Sequence, residues 1–120
     1  MNWRMIWVTI WAGWLCMGEI QAQTSLDSLV LENVDSSEVM LGQFKEKKAL
    51  VLIFTGNHCV YSKKYEPRLT KMAAEYMEKD IAVCLVNSNA PEKSEDERME
   101  MMRARAKEHA YPCPYLQDKE

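Results

Sequence analysis

Two unbroken apolar runs mark the centre of the chain, ALVLIF at residues 49–54 and IAVCLV at residues 81–86. Polar stretches flank both of them, KEKK before the first run and NSN after the second. Short apolar runs bounded by polar residues are typical of β-strands that are buried on both faces of a sheet. The sequence therefore predicts two interior strands.

The segment between these runs has a helical period. Its apolar residues recur every three or four positions, which is the spacing of one face of an α-helix. They are Tyr61, Tyr65, Leu69, Met72 and Tyr76. We expect an amphipathic helix over about residues 59–79, kinked at Pro67 because proline removes a backbone hydrogen bond. Strand, helix and strand in this order predict a parallel pair of strands with a right-handed crossover.

Shorter elements are expected on either side of this unit. Residues 29–34 and 38–41 flank a turn-forming Asp-Ser-Ser segment, a spacing that favours a β-hairpin. Ser94 followed three residues later by Glu97 matches a capping box, which predicts the start of a second helix. A last strand is expected to begin at Tyr115.

The first residues have the pattern of an export signal. Residues 5–18 are apolar, follow Arg4 and are too few to span a bilayer as a helix. We predict a signal peptide over residues 1–22, cleaved after Ala22, and one domain over residues 23–120. An uncleaved membrane anchor is the alternative. With this signal peptide, we expect export to the periplasmic or extracellular side of a bacterial envelope. We expect contact with the membrane only through this segment.

Charge and residue spacing restrict the kinds of ligand. The chain has 15 basic and 18 acidic residues and a formal net charge of -3. It lacks the basic footprint that nucleic-acid binding requires. His58, Cys59 and Cys113 do not have the C-x-x-C or H-x-x-x-H spacing of a metal site. We therefore expect neither nucleic acid nor a metal ion as a ligand.

Cys59 is the strongest candidate for chemistry. It lies where the first predicted strand turns into the helix, the edge of an open α/β sheet at which ligands and active residues collect. Unpaired amide groups and the positive dipole end at a helix start stabilise a thiolate, so the pKa of this thiol is expected to be low. The alternative is a buried, inert cysteine, which is the role expected for Cys84 within the second apolar run.

The residues around Cys59 resemble those of a known family. The stretches FTGNHCVYSKKYEPRL, IAVCLVNSN and YPCPYLQD are similar, in order and spacing, to the redoxin branch of the thioredoxin, TlpA and peroxiredoxin superfamily. The positions that carry the resemblance are Asn57, His58, Cys59, Tyr61, Pro67, Asn87, Ser88, Asn89, Pro114, Tyr115, Leu116 and Asp118. The resemblance implies an α/β fold, the thioredoxin-like three-layer αβα sandwich, with Cys59 as the catalytic residue.

The chain departs from the thioredoxin pattern just after Cys59. Ser62 occupies the place of the second cysteine, so no dithiol can form there. A single thiolate can still attack a disulfide or a peroxide, but another thiol must then resolve the product. Cys113 is a candidate resolving thiol, Ser62 a candidate hydrogen-bond donor to the thiolate, and His58 a candidate for tuning the thiol. Their structural alternatives are an incidental cysteine, a tolerated small residue and a packing residue.

The resemblance also implies a missing part. Redoxin domains continue beyond residues 114–118 with a helix, a cis-proline loop, closing strands and a last helix. This chain is therefore expected to hold only the N-terminal hairpin and the βαβα unit, as a C-terminally truncated domain. The strand at residues 49–54 is then left with an unpaired edge through which the protein could self-associate.

These observations predict a thiol-disulfide oxidoreductase or a peroxiredoxin-like antioxidant protein. It acts through Cys59, without a cofactor, on protein thiols and disulfides or on peroxide. The alternatives are a non-catalytic thioredoxin-like binding module and an inactive truncated fragment.

Overall fold

A five-stranded mixed β-sheet lies at the centre of the structure, a computed structural model that describes residues 25–92 and 94–118. The elements are β1 (Val30–Asn33), β2 (Glu38–Met40), β3 (Ala49–Phe54), α1 (Val60–Met77), β4 (Ile81–Asn87), α2 (Met99–Glu108) and β5 (Tyr115–Gln117). The 3₁₀ turns are Leu26–Ser28, Leu41–Phe44 and Glu95–Glu97. The strands lie in the order β2-β1-β5-β4-β3.

Three neighbouring strands, β3, β4 and β5, run parallel, so their carboxyl ends meet at one edge of the sheet. In the register of this sheet, Val86 of β4 lies between Phe54 of β3 and Leu116 of β5. β1 is antiparallel both to β5 and to β2. The predicted hairpin and the predicted parallel strand-helix-strand unit are therefore confirmed.

Both helices cover the same face of the sheet. Ala73 of α1 and Met102 of α2 share one apolar cluster with Val83 and Leu85 of β4. The topology explains this, because two right-handed crossovers, β3 to β4 and β4 to β5, step across the sheet in the same direction. On the opposite face, side chains from β1, β2, β4 and β5 form a second apolar cluster, which the Leu41–Phe44 turn covers in part.

The buried face of α1 differs from the one that its sequence predicts. The three tyrosines of the predicted apolar face are exposed, and the buried residues of the helix are Glu66 and Ala73. Glu66 is satisfied by polar partners on the second crossover, because it pairs with Arg105 at 2.7 Å and accepts a hydrogen bond from the Tyr111 hydroxyl. The spacing of apolar residues alone therefore does not identify the face of α1 that packs against the rest of the protein. Pro67 lies inside α1, which continues to Met77.

β3 is less buried than its apolar sequence predicts. Residues 82–87 of β4 are all buried, whereas β3 is half-buried and Phe54 is 67% exposed. Within the described residues β3 pairs only with β4, which leaves its other edge unpaired as expected. Burial on both faces is therefore right for β4 and wrong for β3, because β3 lies at the edge of the sheet.

The predicted signal peptide, residues 1–22, lies outside the described residues and stays a prediction. Across the described ranges, no helix combines the length and the apolar character needed to cross a membrane.

Candidate functional site

Cys59 lies in the loop that follows β3 and caps the amino terminus of α1. Its backbone is extended (φ -70°, ψ 118°), and the helix begins at the next residue, Val60. Its thiol is free and exposed. Since the first backbone N–H groups of a helix have no partner within the helix, the sulfur lies next to donors that a negative charge can use.

These donors favour the thiolate form of Cys59. The backbone N–H of Ser62, its hydroxyl and the backbone N–H of Tyr61 lower the pKa of the Cys59 thiol from its ordinary value. Slight desolvation and the charge of Glu97 oppose this effect. In the structure the Cys59 side chain makes no capping hydrogen bond. The donors therefore act mainly on the charged sulfur, which accepts hydrogen bonds far better than a neutral thiol.

Glu97 is the buried carboxylate beneath this loop. Its oxygens accept hydrogen bonds from the backbone N–H of His58 (2.8 Å), the backbone N–H of Asn57 (3.0 Å) and the side-chain amide of Asn87 (2.6 Å). Burial alone disfavours its ionised form, but these bonds and one from the Asn89 side chain outweigh burial and hold the pKa of Glu97 below its ordinary value. Glu97 is therefore an anion bound by donors from two loops.

This arrangement corrects the predicted capping box. Ser94 precedes the 3₁₀ turn Glu95–Glu97 and makes no side-chain capping hydrogen bond, and α2 begins only at Met99. Glu97 faces the loop before Cys59 instead of the backbone of its own helix. The spacing of Ser94 and Glu97 fits a capping box, but the carboxylate has better partners in the tertiary structure.

Asn57 joins the loop to the rest of the sheet edge. It is buried, its side-chain amide donates to the backbone carbonyl of Asp96 at 2.8 Å, and its side-chain oxygen accepts from the Tyr115 hydroxyl at 2.8 Å. Gln117 of β5 adds a hydrogen bond to the backbone carbonyl of Glu97 at 3.0 Å. Side chains from β5 and from the 3₁₀ turn thus fix the backbone that leads into Cys59.

Gly56 lies at a close approach between two loops. A Cβ atom placed there would lie 2.3 Å from the side-chain nitrogen of Asn89 and 3.3 Å from a carboxylate oxygen of Glu97. Any larger residue would push Asn89 away from the carboxylate. The glycine therefore allows the loop after β4 to approach the loop after β3.

His58 is held by its backbone more than by its ring. Its backbone N–H donates to Glu97, while its exposed imidazole lies 3.1 Å from a carboxylate oxygen of Asp96. The role expected for His58, tuning the neighbouring thiol, stays a prediction.

An open cleft of about 620 Å³ lies beside Cys59 at the carboxyl edge of the sheet. Most of the residues that line it have polar side chains, and the full lining is His58, Cys59, Ser88, Asn89, Ala90, Ser94 and Glu97. The loops after β3 and β4 form its walls, as expected for a site at the carboxyl ends of parallel strands. A small polar molecule or an extended peptide segment could therefore reach the sulfur.

Cys84 and Cys113 have a different environment from Cys59. Both are buried and free, and burial raises the pKa of each thiol to about 11. Cys113 packs in the apolar cluster beneath the helices and does not line the cleft that holds Cys59. The structure thus fits the expected inertness of Cys84, and it does not bring the candidate resolving thiol Cys113 to Cys59.

Metal binding has no site in the part of the chain that the structure describes, where no three histidine, cysteine or carboxylate side chains cluster closely enough to hold an ion.

Comparison with known proteins identifies the family. The Redoxin family profile matches residues 21–120 of the chain. The chain belongs to the Redoxin family. This confirms the resemblance that the residues around Cys59 suggest, and with it the thioredoxin-like fold.

Two solved structures show the same fold at appreciable identity. An uncharacterized conserved protein from Geobacillus kaustophilus is 34% identical over 78% of this chain and 51% of its own, with a TM-score of 0.72. A hypothetical protein from Sinorhizobium meliloti 1021 is 31% identical over 75% of this chain and 49% of its own, also with a TM-score of 0.72. This Redoxin chain thus spans about half the length of either structure.

A more distant structure shares the fold alone. It is a secreted Mycobacterium tuberculosis disulfide oxidoreductase homologous to E. coli DsbE, 14% identical over 80% of this chain and 64% of its own, with a TM-score of 0.63. No curated protein matches the chain.

Sequence reasoning missed several residues of the site, namely Asn57 in its structural role, Asn87, Asp96, Glu97 and Tyr115. Asn57, Asn87 and Tyr115 carry the family resemblance, but their sequence positions do not reveal their partners. A usable signal is polarity out of place, because Asn87 ends a strand that is otherwise apolar and largely buried.

Proposed function

We propose that this Redoxin-family protein is a thiol-dependent oxidoreductase that acts through the Cys59 thiolate. The observation that carries this proposal is an exposed cysteine at the amino terminus of α1, with a lowered thiol pKa and an open cleft beside it. A reactive cysteine needs this combination of thiolate character and access. The family match and the thioredoxin-like neighbours support the same class of chemistry.

With a disulfide as substrate, the Cys59 sulfur attacks one sulfur atom and the substrate S–S bond breaks. The leaving thiolate takes a proton from water, and Cys59 is left in a mixed disulfide. A second thiolate then attacks the substrate sulfur of this mixed disulfide, which frees Cys59 and oxidises the second thiol. Because Ser62 stands where a dithiol protein has its second cysteine, this thiol comes from outside the motif.

With a peroxide as substrate, the Cys59 thiolate attacks one oxygen and the O–O bond breaks. Cys59 becomes a sulfenic acid, and the leaving alkoxide or hydroxide takes a proton. A thiol then condenses with the sulfenic acid and releases water, which leaves Cys59 in a mixed disulfide. A second thiolate attacks the other sulfur of this disulfide, frees the Cys59 thiolate and is itself oxidised to a disulfide. For both substrates we propose that the resolving thiol is external to this chain, either a small-molecule thiol or a thiol of another protein.

The predicted export of the protein belongs to this proposal. Support comes from the pattern of residues 1–22 and from the secreted Mycobacterium tuberculosis relative, although that relative shares only the fold. Disulfide exchange suits an oxidising compartment outside the cytoplasm. Fractionation of expressing cells, with the mass of the mature protein, tests it. Full-length protein retained in the cytoplasm contradicts it.

The central test is the reactivity of Cys59 in the full chain. Alkylation by iodoacetamide is followed as a function of pH, and the peptide that contains Cys59 is quantified by mass spectrometry. A free cysteine has a pKa of about 8.5. We expect Cys59 to reach half of its maximal alkylation rate at a clearly lower pH. Exposure to oxidised glutathione or to hydrogen peroxide with dimedone then shows which product forms.

A matched control is Cys59→Ser, which nearly keeps the size of the side chain and places a residue that is favoured at a helix N-cap. This variant should form neither the glutathione adduct nor the dimedone adduct. An ordinary Cys59 titration together with no adduct from either oxidant contradicts the proposal and leaves a non-catalytic binding module as the better description.

A further inference from the structure

Glu97 is a buried carboxylate whose two oxygens both face the loop that carries Cys59. One oxygen accepts from the backbone N–H of His58, and the other accepts from the backbone N–H of Asn57 and from the side chain of Asn87. Two of these donors are the backbone amides of the two residues directly before Cys59. The carboxylate thus fixes the path of the chain into the reactive cysteine.

We propose that Glu97 is the positioning residue of the Cys59 site, holding the backbone ahead of the sulfur and restraining the reactivity of the thiolate through its negative charge. This inference rests on the proposed function, since it concerns how that sulfur is controlled. The sequence position of Glu97 suggests only a helix cap, whereas this inference gives Glu97 a role in the Cys59 site.

The charge effect follows from geometry. Glu97 and Cys59 line the same cleft, and both are anionic when the site is active, so each charge disfavours the other. The amides at the start of α1 stabilise the thiolate, while Glu97 opposes it. The Glu97 carboxylate therefore has two opposite effects: it fixes the shape of the loop before Cys59, and its charge disfavours ionisation of the Cys59 thiol.

The other charged groups around the loop are more exposed than Glu97. His58 and Asp96 pair with one another at 3.1 Å, and the first turn of α1 carries Lys63 and Lys64 at exposed positions. Exposed charges are screened by water and salt, whereas a buried charge acts more strongly over the same distance. Among these charged groups, Glu97 is accordingly the one whose removal should change the titration of Cys59 most.

The variant Glu97→Gln tests the charge. In the full chain, iodoacetamide alkylation of Cys59 between pH 4 and 10 should show that the pKa of Cys59 falls, because a negative charge that opposes the thiolate is removed. Alkylation at pH 5, relative to the plateau at high pH, should rise severalfold, because a lower pKa leaves more of the thiol ionised at that pH. The matched control is Glu95→Gln, which removes the same formal charge from an exposed side chain of the same turn and should leave the titration unchanged.

The variant Glu97→Asp separates position from charge. It keeps the negative charge but is one methylene shorter, so it cannot reach all of the donors of both loops. We expect the pKa of Cys59 to stay near that of the unsubstituted protein. Hydrogen exchange at the amides of Asn57 and His58 should become at least tenfold faster, since both lose a buried acceptor.

The outcomes distinguish the two proposals. An ordinary Cys59 titration in the unsubstituted protein, with no adduct from either oxidant, overturns the proposed function. A lowered Cys59 pKa that Glu97→Gln leaves unchanged overturns the role of Glu97 alone. Should Glu97→Gln not fold, the unsubstituted protein decides, because the amide proton resonances of Asn57 and His58 should titrate together in acid with the Glu97 carboxylate. Independent or absent titration of these two amides contradicts the inference.

Discussion

The hydroxyl of Tyr115 donates a 2.8 Å hydrogen bond to the side-chain oxygen of Asn57, and both residues are buried. Tyr115 begins β5, while Asn57 lies two residues before Cys59 in the loop after β3. β4 lies between these strands, so this one contact spans the parallel part of the sheet at its carboxyl edge. The position of the loop that holds Cys59 thus depends on β5 as well as on β3, the strand that the loop follows.

Replacing Tyr115 by Phe should destabilise the protein. The substitution keeps the ring in place but leaves the buried side-chain oxygen of Asn57 without its donor, at a cost of about 1 to 3 kcal/mol in the free energy of unfolding. Urea unfolding followed by circular dichroism measures this difference. The control is Tyr61→Phe, since the Tyr61 side chain is exposed and its hydroxyl should contribute nothing measurable. Equal stability of both variants contradicts the assigned bond.

The central elements of this fold can be predicted from the sequence because their signal is local. β4 is an apolar run of strand length, and it is buried as predicted from Ala82 onward. β3 has an equally apolar sequence, but its burial depends on whether a neighbour lies at its far edge. The sequence of a strand therefore predicts that a strand forms, but it does not predict whether that strand lies in the middle or at the edge of the sheet.

The same distinction holds for the site. The position of Cys59 between an apolar run and a helical period is visible in the sequence, and the structure places Cys59 at the amino terminus of α1. Glu97 reaches the amides of Asn57 and His58 across 40 and 39 residues of chain. Local spacing suggests a helix cap for Glu97, because a competing partner so distant in sequence leaves no local pattern.

Removing the Ser62 hydroxyl should raise the pKa of Cys59. Ser62→Ala keeps the backbone N–H that contributes most to the thiolate and loses only the side-chain donor. We therefore expect the pKa of Cys59 to rise but to stay below its ordinary value, as measured by alkylation of Cys59 as a function of pH. Ser88→Ala is the control, since it removes a hydroxyl from another wall of the same cleft. A fall in the pKa of Cys59, or an equal change in the control, contradicts the role of Ser62.

Acid should weaken the contribution of Glu97 to stability. Its pKa is lowered in the folded protein, so the folded state favours the ionised carboxylate and gains stability above the unfolded value of about 4.5. This gain is lost as the pH falls through the folded-state pKa. The difference in unfolding free energy between the unsubstituted protein and Glu97→Gln should therefore be largest at pH 7 and shrink below about pH 4.

Urea unfolding at a series of pH values between 3 and 7 measures that difference. Glu95→Gln, at an exposed position, should show little dependence of the same kind. A constant gap for Glu97→Gln across this range would show that the hydrogen bonds of Glu97 do not require its charge.

The burial of Cys113 leads to a prediction about how Cys59 is recycled. Cys113 packs among Ala73, Leu85 and Met102, and burial raises the pKa of its thiol to about 11, so it is a weak nucleophile in the folded state. For Cys113 to resolve a Cys59 adduct, the segment that contains it would have to leave this cluster. We therefore expect the unsubstituted protein and Cys113→Ala to accumulate the same dimedone adduct on Cys59 under peroxide. An intramolecular Cys59–Cys113 disulfide in the unsubstituted protein, with the adduct increasing only in the variant, would show that the segment opens and that Cys113 is the resolving thiol.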